Sequence, residues 1–122
     1  MVNFANPDMI GHTGSLEAAI EAVETVDTAL GSVVSSVAGT GGCLLVIADH
    51  GNCEMMIDPI NNEPHTAHTL NPVPAILFGR EDVATLNNGI LADVAPTVLS
   101  LMGIEQPATM TGKPLFSTSG CE

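Results

Sequence analysis

The 122-residue chain predicts an α/β layered fold with a mostly parallel sheet and helices on both faces. Three observations carry that expectation. A helical apolar repeat runs from Ser15 to about Ala38, an unbroken apolar run covers Cys43–Ala48, and a second run, Val73–Phe78, precedes another helical pattern. The predicted order is strand, helix, strand, loop, strand, helix.

Val2–Ala5 is a short apolar run and the first candidate strand. Asn6-Pro7 breaks it, and Pro7 suits the first position of a helical turn because its missing N–H has no partner to lose there. In the long helix, Leu16, Ile20, Val23, Leu30, Val34 and Val37 recur at spacings of three, four or seven. Glu17, Glu21 and Glu24 mark its wet face and complement the positive end of the helix dipole. Gly39, Gly41 and Gly42 stop it. Cys43–Ala48 lacks polar alternation, the pattern of a strand covered on both faces of a parallel sheet. A polar loop from Asp49 to about Pro72 leads to the strand Val73–Phe78. The last helix, Leu91–Met102, takes Pro96 in its first turn and ends at Gly103.

Composition narrows the function classes. Lys and Arg total 2 against 14 Asp and Glu, a net charge of −12, with Arg80 and Lys113 the only basic residues. Nucleic acid and anionic membranes are bound through basic side chains, so neither is an expected partner. The absence of Trp and Tyr also removes base-stacking surfaces. Surplus carboxylates do suit divalent cations. No run reaches the roughly 18–20 apolar residues of a membrane helix, and Met1-Val2-Asn3-Phe4 lacks the basic, apolar character of a secretory leader. Cys43, Cys53 and Cys121 are an odd set without a CxxC pair, so a cytoplasmic setting is expected.

The chemistry concentrates on four histidines beside acids. Asp8 and His12 stand one helical turn apart on one face, either as metal ligands or as a surface pair. Asp49-His50-Gly51 directly follows the apolar strand, at the end where open α/β sheets bind ligands; the plainer reading is an Asp capping the next turn. His65 and His68 stand three apart. They can share a metal, one can orient the other, or both can decorate a polar loop. Cys53 lacks a second Cys at zinc-site spacing and reads as a packed thiol; Met55 and Met56 read as packing. Together Asp8, His12, Asp49, His50 and His68 form an oxygen–nitrogen set suited to manganese, zinc or magnesium.

The text of these motifs resembles the cofactor-independent phosphoglycerate mutases of the alkaline phosphatase superfamily. The match runs through Asn3-Phe4-Ala5-Asn6-Pro7-Asp8-Met9-Ile10-Gly11-His12-Thr13-Gly14, Ile47-Ala48-Asp49-His50-Gly51-Asn52 and His65-Thr66-Ala67-His68-Thr69 to Pro72-Val73-Pro74. It continues in Leu91–Leu99 and closes on Thr111-Gly112-Lys113-Pro114-Leu115, nearly the whole chain up to about Phe116. The resemblance implies an alkaline-phosphatase-like layered fold and two manganese ions in the full enzyme, with Mg2+, Zn2+ or Co2+ as possible substitutes. It implies that Asp8, His12 and His68 hold one ion and that Asp49 and His50 belong to the second. His65 then supports a ligand from behind. The implied reaction interconverts 3-phosphoglycerate and 2-phosphoglycerate through a phosphoserine, so phosphoglycerate is the expected substrate.

The departures from that family are as informative. The serine nucleophile, the first metal-binding Asp and the arginines that grip phosphate and carboxylate have no counterpart here. No catalytic residue is therefore assigned within the chain. Residues 1–116 are expected to be the C-terminal part of the metal-binding phosphatase-like domain and 117–122 a tail, with the missing N-terminal portion of the same enzyme as partner. The alternatives are another two-metal phosphatase or phosphotransferase of that superfamily, and a non-catalytic metal-binding module.

Overall fold

The computed structural model describes residues 1–117; residues 118–122, Cys121 and all but the first residue of the expected 117–122 tail among them, lie outside the described residues. The described elements are the helices α1 (Asn6–Gly11) and α2 (Leu16–Gly39), the strands β1 (Leu44–Ile47) and β2 (Ala75–Phe78), a 3-10 turn at Leu91–Asp93, and the helix α3 (Val94–Leu101). Val2–Ala5 forms no strand. No described strand lies alongside it to complete a ladder, and an apolar run without a pairing partner has no means of satisfying its backbone groups as a strand.

α2 follows the predicted limits within a residue. Ser15 caps it by accepting the Ala18 amide at 3.4 Å, and Gly41 takes the chain away at φ +67°, a conformation that costs glycine little. Its buried positions are the alanines Ala19 and Ala22, while Leu16, Ile20 and Val23 stay about half exposed. α1 packs against α2.

The α/β character of the reading holds, and the described sheet is a small one of two strands. β1 and β2 pair antiparallel, Leu44 opposite Phe78 and Ile47 opposite Ala75, where a mostly parallel sheet was expected. The reason lies in the connection. A parallel pair needs a crossover, usually a helix, whereas residues 48–74 form a loop that leaves and re-enters the same end of the ladder. Nor is the ladder covered on both faces: Ile76 is 54% and Phe78 37% exposed.

The C-terminal stretch is tied down by α3. The Thr97 hydroxyl, fully buried, donates to the Asp93 carbonyl at 2.7 Å and accepts the Leu115 amide at 2.9 Å. Asp93 accepts the amides of Ile90 and Lys113, each at 2.8 Å. Leu115 and Phe116 are thereby drawn into the core, where Phe116 supports the guanidinium of Arg80 at 5.9 Å from its ring centre. No helix among the described residues is long and apolar enough to cross a membrane.

Candidate metal centre

α1 is about one and a half turns long, carries Pro7 in its first turn and has His12 as its C-cap. That is enough to carry Asp8 and His12 to the same side: Asp8 Oδ1 and His12 Nε2 lie 3.3 Å apart. His50 and His68 come from opposite arms of the loop between β1 and β2. The arms are pinned by an antiparallel bridge in which the Thr69 amide donates to the Gly51 carbonyl at 2.9 Å. Glu54 reinforces it by accepting the Thr69 hydroxyl and, at 2.9 Å, the Asn71 side-chain amide. Burial pulls the Glu54 carboxyl up, and those two bonds, with backbone hydrogen bonds at Glu54 and Asn52, outweigh it and hold the group below its ordinary range. Any side chain at Gly51 would run into Thr69 and Glu54. The bridge leaves His50 and His68 as neighbours, their rings stacked at 3.7 Å and 18°.

Asp8 Oδ1 is the hub. It sits 3.0 Å from His68 Nε2, 3.3 Å from His12 Nε2 and 3.8 Å from His50 Nε2, and the two nearer nitrogens are 3.1 Å from each other. Ligand bonds of about 2.0–2.2 Å separate adjacent ligands by about 3.0–3.4 Å, so these three atoms match the face of a coordination shell. The group Asp8, His50 and His68 also offers one ligand atom each, all within 4.8 Å of one another. Three imidazoles and one carboxylate form a set that zinc, cobalt and manganese accept. Residues and chemistry fit a divalent metal.

Electrostatics agree with the geometry. Burial alone would raise the Asp8 carboxyl; the Asn52 hydrogen bond, then the fields of His12 and His68 and the His68 hydrogen bond, outweigh it and hold Asp8 below the usual carboxylate range. His12 Nδ1 lies 2.6 Å from the Thr66 carbonyl, an acceptor only, so a ring proton belongs on Nδ1 and Nε2 is the atom turned to the centre, free to offer a lone pair to an ion there. The centre faces solvent, with the side chains of His12 and His68 44% and 48% exposed.

The sequence candidates thus divide. Asp8, His12, His50 and His68 converge on one point. Asp49 stands at the rim, 81% exposed, with its Oδ1 3.7 Å from His50 Nε2. His65 is held through its amide, which donates to the Met56 carbonyl, and its buried Nδ1 has no hydrogen-bond partner among the described residues. No hydrogen bond among the described residues ties His65 to the four convergent side chains. Two further groups reach the centre that the sequence reading did not single out: the Thr66 carbonyl, and Asn52, whose Nδ2 donates to Asp8 Oδ1 at 3.1 Å. A backbone carbonyl leaves no signature in residue type, whereas Asn52 stood within a motif already in view. Cys53 packs as expected, its thiol donating to the Pro7 carbonyl at 2.9 Å, and burial, first, and the nearby Glu54 and Asp8 push that thiol's pKa up.

The chain is similar to several known proteins. It is 61% identical over 116 residues to the 2,3-bisphosphoglycerate-independent phosphoglycerate mutase of Agrobacterium fabrum, covering 95% of this chain and 23% of that protein. Against the protein of the same name from Rhodopseudomonas palustris it is 64% identical over 116 residues, with the same shares covered. The fold superposes on a crystal structure of Leishmania mexicana phosphoglycerate mutase at low cobalt concentration with a TM-score of 0.83 and 34% identity, over 96% of this chain and 24% of that one. The chain therefore spans about a quarter of the length of the relatives it matches. The family model described as Metalloenzyme superfamily matches residues 1–106, which carry all four convergent side chains, and the chain belongs to that superfamily.

Proposed function

We propose that this chain is the C-terminal part of the metal-binding domain of a 2,3-bisphosphoglycerate-independent phosphoglycerate mutase. The observation that carries the reading is the triangle of Asp8 Oδ1, His12 Nε2 and His68 Nε2, with sides of 3.0, 3.1 and 3.3 Å, in a chain 61% identical to such a mutase. In the full protein the two antiparallel strands belong to a larger, mostly parallel alkaline-phosphatase-like sheet. Residues 1–116 form this part of the domain, and the remaining segments of the same enzyme are its partner. The activity proposed for the whole protein is the interconversion of 3-phosphoglycerate and 2-phosphoglycerate through a phosphoserine whose serine lies outside this chain.

Asp8, His12 and His68 hold one divalent ion, and Asp49 and His50 contribute to a second. Manganese is the proposed metal, with magnesium, zinc and cobalt as substitutes; the similar Leishmania mexicana protein was crystallised with cobalt. Such ions, when bound, act as Lewis acids on phosphoryl oxygens and lower the pKa of a hydroxyl nucleophile. This chain's part is to present ligands in fixed orientations. The Thr66 carbonyl sets the His12 tautomer, the Gly51–Thr69 bridge sets the His50–His68 stack, and α1 holds Asp8 against both. His65, whose ring nitrogen is buried beside this loop, backs the ligand arm from behind. The free thiols of Cys43 and Cys53 suit a reducing, cytoplasmic compartment.

A chimera tests the reading. This chain replaces the matching 116 residues of the Agrobacterium fabrum mutase, and turnover of 3-phosphoglycerate is followed through coupling to enolase. The chimera should turn over and lose activity by at least about a hundredfold when His68 is replaced by Ala. Release of free phosphate without 2-phosphoglycerate would instead support a phosphatase of the same superfamily.

A further inference from the structure

We propose that Asn52 is a positioning residue of the metal centre, setting the carboxylate of Asp8, and that Gly11 is the position that makes room for it. The inference rests on the metal-centre reading above and adds a residue to it.

Asn52 is 6% exposed and lies directly beneath α1. Its Nδ2 donates to Asp8 Oδ1 at 3.1 Å and approaches the Asp8 carbonyl at 3.4 Å. Both partners are acceptors, so only the NH2 end of the amide can face them. The opposite end, Oδ1, is left buried with no hydrogen-bond partner among the described residues. A buried acceptor without a partner is costly, so the amide is oriented by what it gives to Asp8 rather than by what surrounds Oδ1. A purely space-filling position would take an apolar side chain here at lower cost.

Gly11 completes the argument. It is buried in the last turn of α1, between Asp8 and His12, and any Cβ there would overlap Asn52 Oδ1. The helix thus carries a gap directly over the amide, and the amide reaches through to the carboxylate of the preceding turn. Because Asn52 follows His50 by two positions, the same bond that aims Asp8 also fixes the arm bearing His50. One N–H engages Oδ1 of Asp8, the atom shared by His12, His68 and His50. Partners of this kind, bonded to a ligand rather than to the ion, typically tune metal affinity by about 10- to 100-fold.

The test is cobalt(II) titration of the full 122-residue chain, following visible absorption for affinity and band position and far-ultraviolet circular dichroism for folding. Asn52→Leu keeps the volume and removes the donor. It should weaken cobalt binding by about 10- to 100-fold and shift the visible bands, with the dichroism spectrum unchanged. A merely structural Asn52 would leave the bands of the bound ion in place. Wild-type affinity and bands in Asn52→Leu would overturn this proposal while leaving the metal centre standing. No cobalt binding by the wild-type chain would overturn the metal centre and the proposal together. Where Asn52→Leu fails to fold, nuclear magnetic resonance of the wild-type chain decides: the Asn52 side-chain amide should exchange slowly with water and shift on adding zinc. An amide unmoved by zinc would overturn the proposal.

Discussion

His12 Nε2 lies 3.1 Å from His68 Nε2, across 56 positions of chain. Two imidazole nitrogens at that distance need a proton or a cation between them. The Thr66 carbonyl engages His12 Nδ1 at 2.6 Å, so the neutral ring points an electron pair, not a proton, toward His68. Asp8 Oδ1 closes the triangle with negative charge. Such a cluster is stable when a proton or a cation is shared among the three atoms, and the first two expectations test that.

The isolated chain is expected to bind about one divalent ion through the Asp8, His12 and His68 triangle, since three ligands hold an ion where two rarely suffice. His12→Ala should lower cobalt affinity by at least about a hundredfold, and His65→Ala by about tenfold or less. Elemental analysis after gel filtration checks both. Equal loss in the two variants would make His65 a ligand.

Acid should release the metal. Imidazole binds an ion only in its neutral form, so protons compete as the solution is acidified. Cobalt affinity, measured by titration calorimetry at a series of pH values, should fall steeply once pH drops toward and below the free imidazole value of about 6.5. A flat profile would mean that carboxylates alone hold the ion.

Asp93 should make folding stability depend on pH well away from the metal. The amides of Ile90, first, and Lys113 hold its carboxyl below the ordinary value of 3.8. A depressed folded-state pKa stabilises the fold above the unfolded value, and that contribution is lost as pH falls toward the folded value. Asp93→Asn should therefore lower the urea midpoint at neutral pH, and the gap to wild type should close as pH falls below 3.8 and through the depressed folded-state value. A gap that stays constant into acid would assign the effect to lost hydrogen bonds alone.

Thr97→Val is expected to destabilise the chain by about 1–3 kcal/mol, because it leaves the buried Leu115 amide without its acceptor. Urea unfolding monitored by circular dichroism measures it. A change under about 0.5 kcal/mol would mean that the C-terminal stretch is held by packing of Leu115 and Phe116 instead.

The purified chain should also self-associate and show no mutase turnover with manganese added. Ile76 and Phe78 on the sheet and Leu16, Ile20 and Val23 on α2 are all more than a third exposed, and apolar surface left open on both elements favours association despite the −12 charge. Light scattering on the gel-filtration peak and the enolase-coupled assay read the two outcomes. A monodisperse monomer with turnover would require a nucleophile within these 122 residues.

What the sequence determined by itself was local. The repeat of Leu16 to Val37 and its glycine stop set α2, the apolar runs set β1 and β2 to within a residue or two, and the spacing of Asp8 and His12 put them on one helical turn. Such features depend on residues a few positions apart, and periodicity records them. The tertiary structure alone decided the rest: the antiparallel pairing, the His50–His68 stack, the place of Asn52 under α1 and the half-exposed faces of the sheet and of α2. These depend on closure of a long loop and on which surfaces meet, and no period in the chain encodes either. His65 shows the limit most plainly. Both are loop histidines three positions apart, yet the turn of the loop aims His68 at Asp8 and leaves the buried Nδ1 of His65 without a hydrogen-bond partner among the described residues.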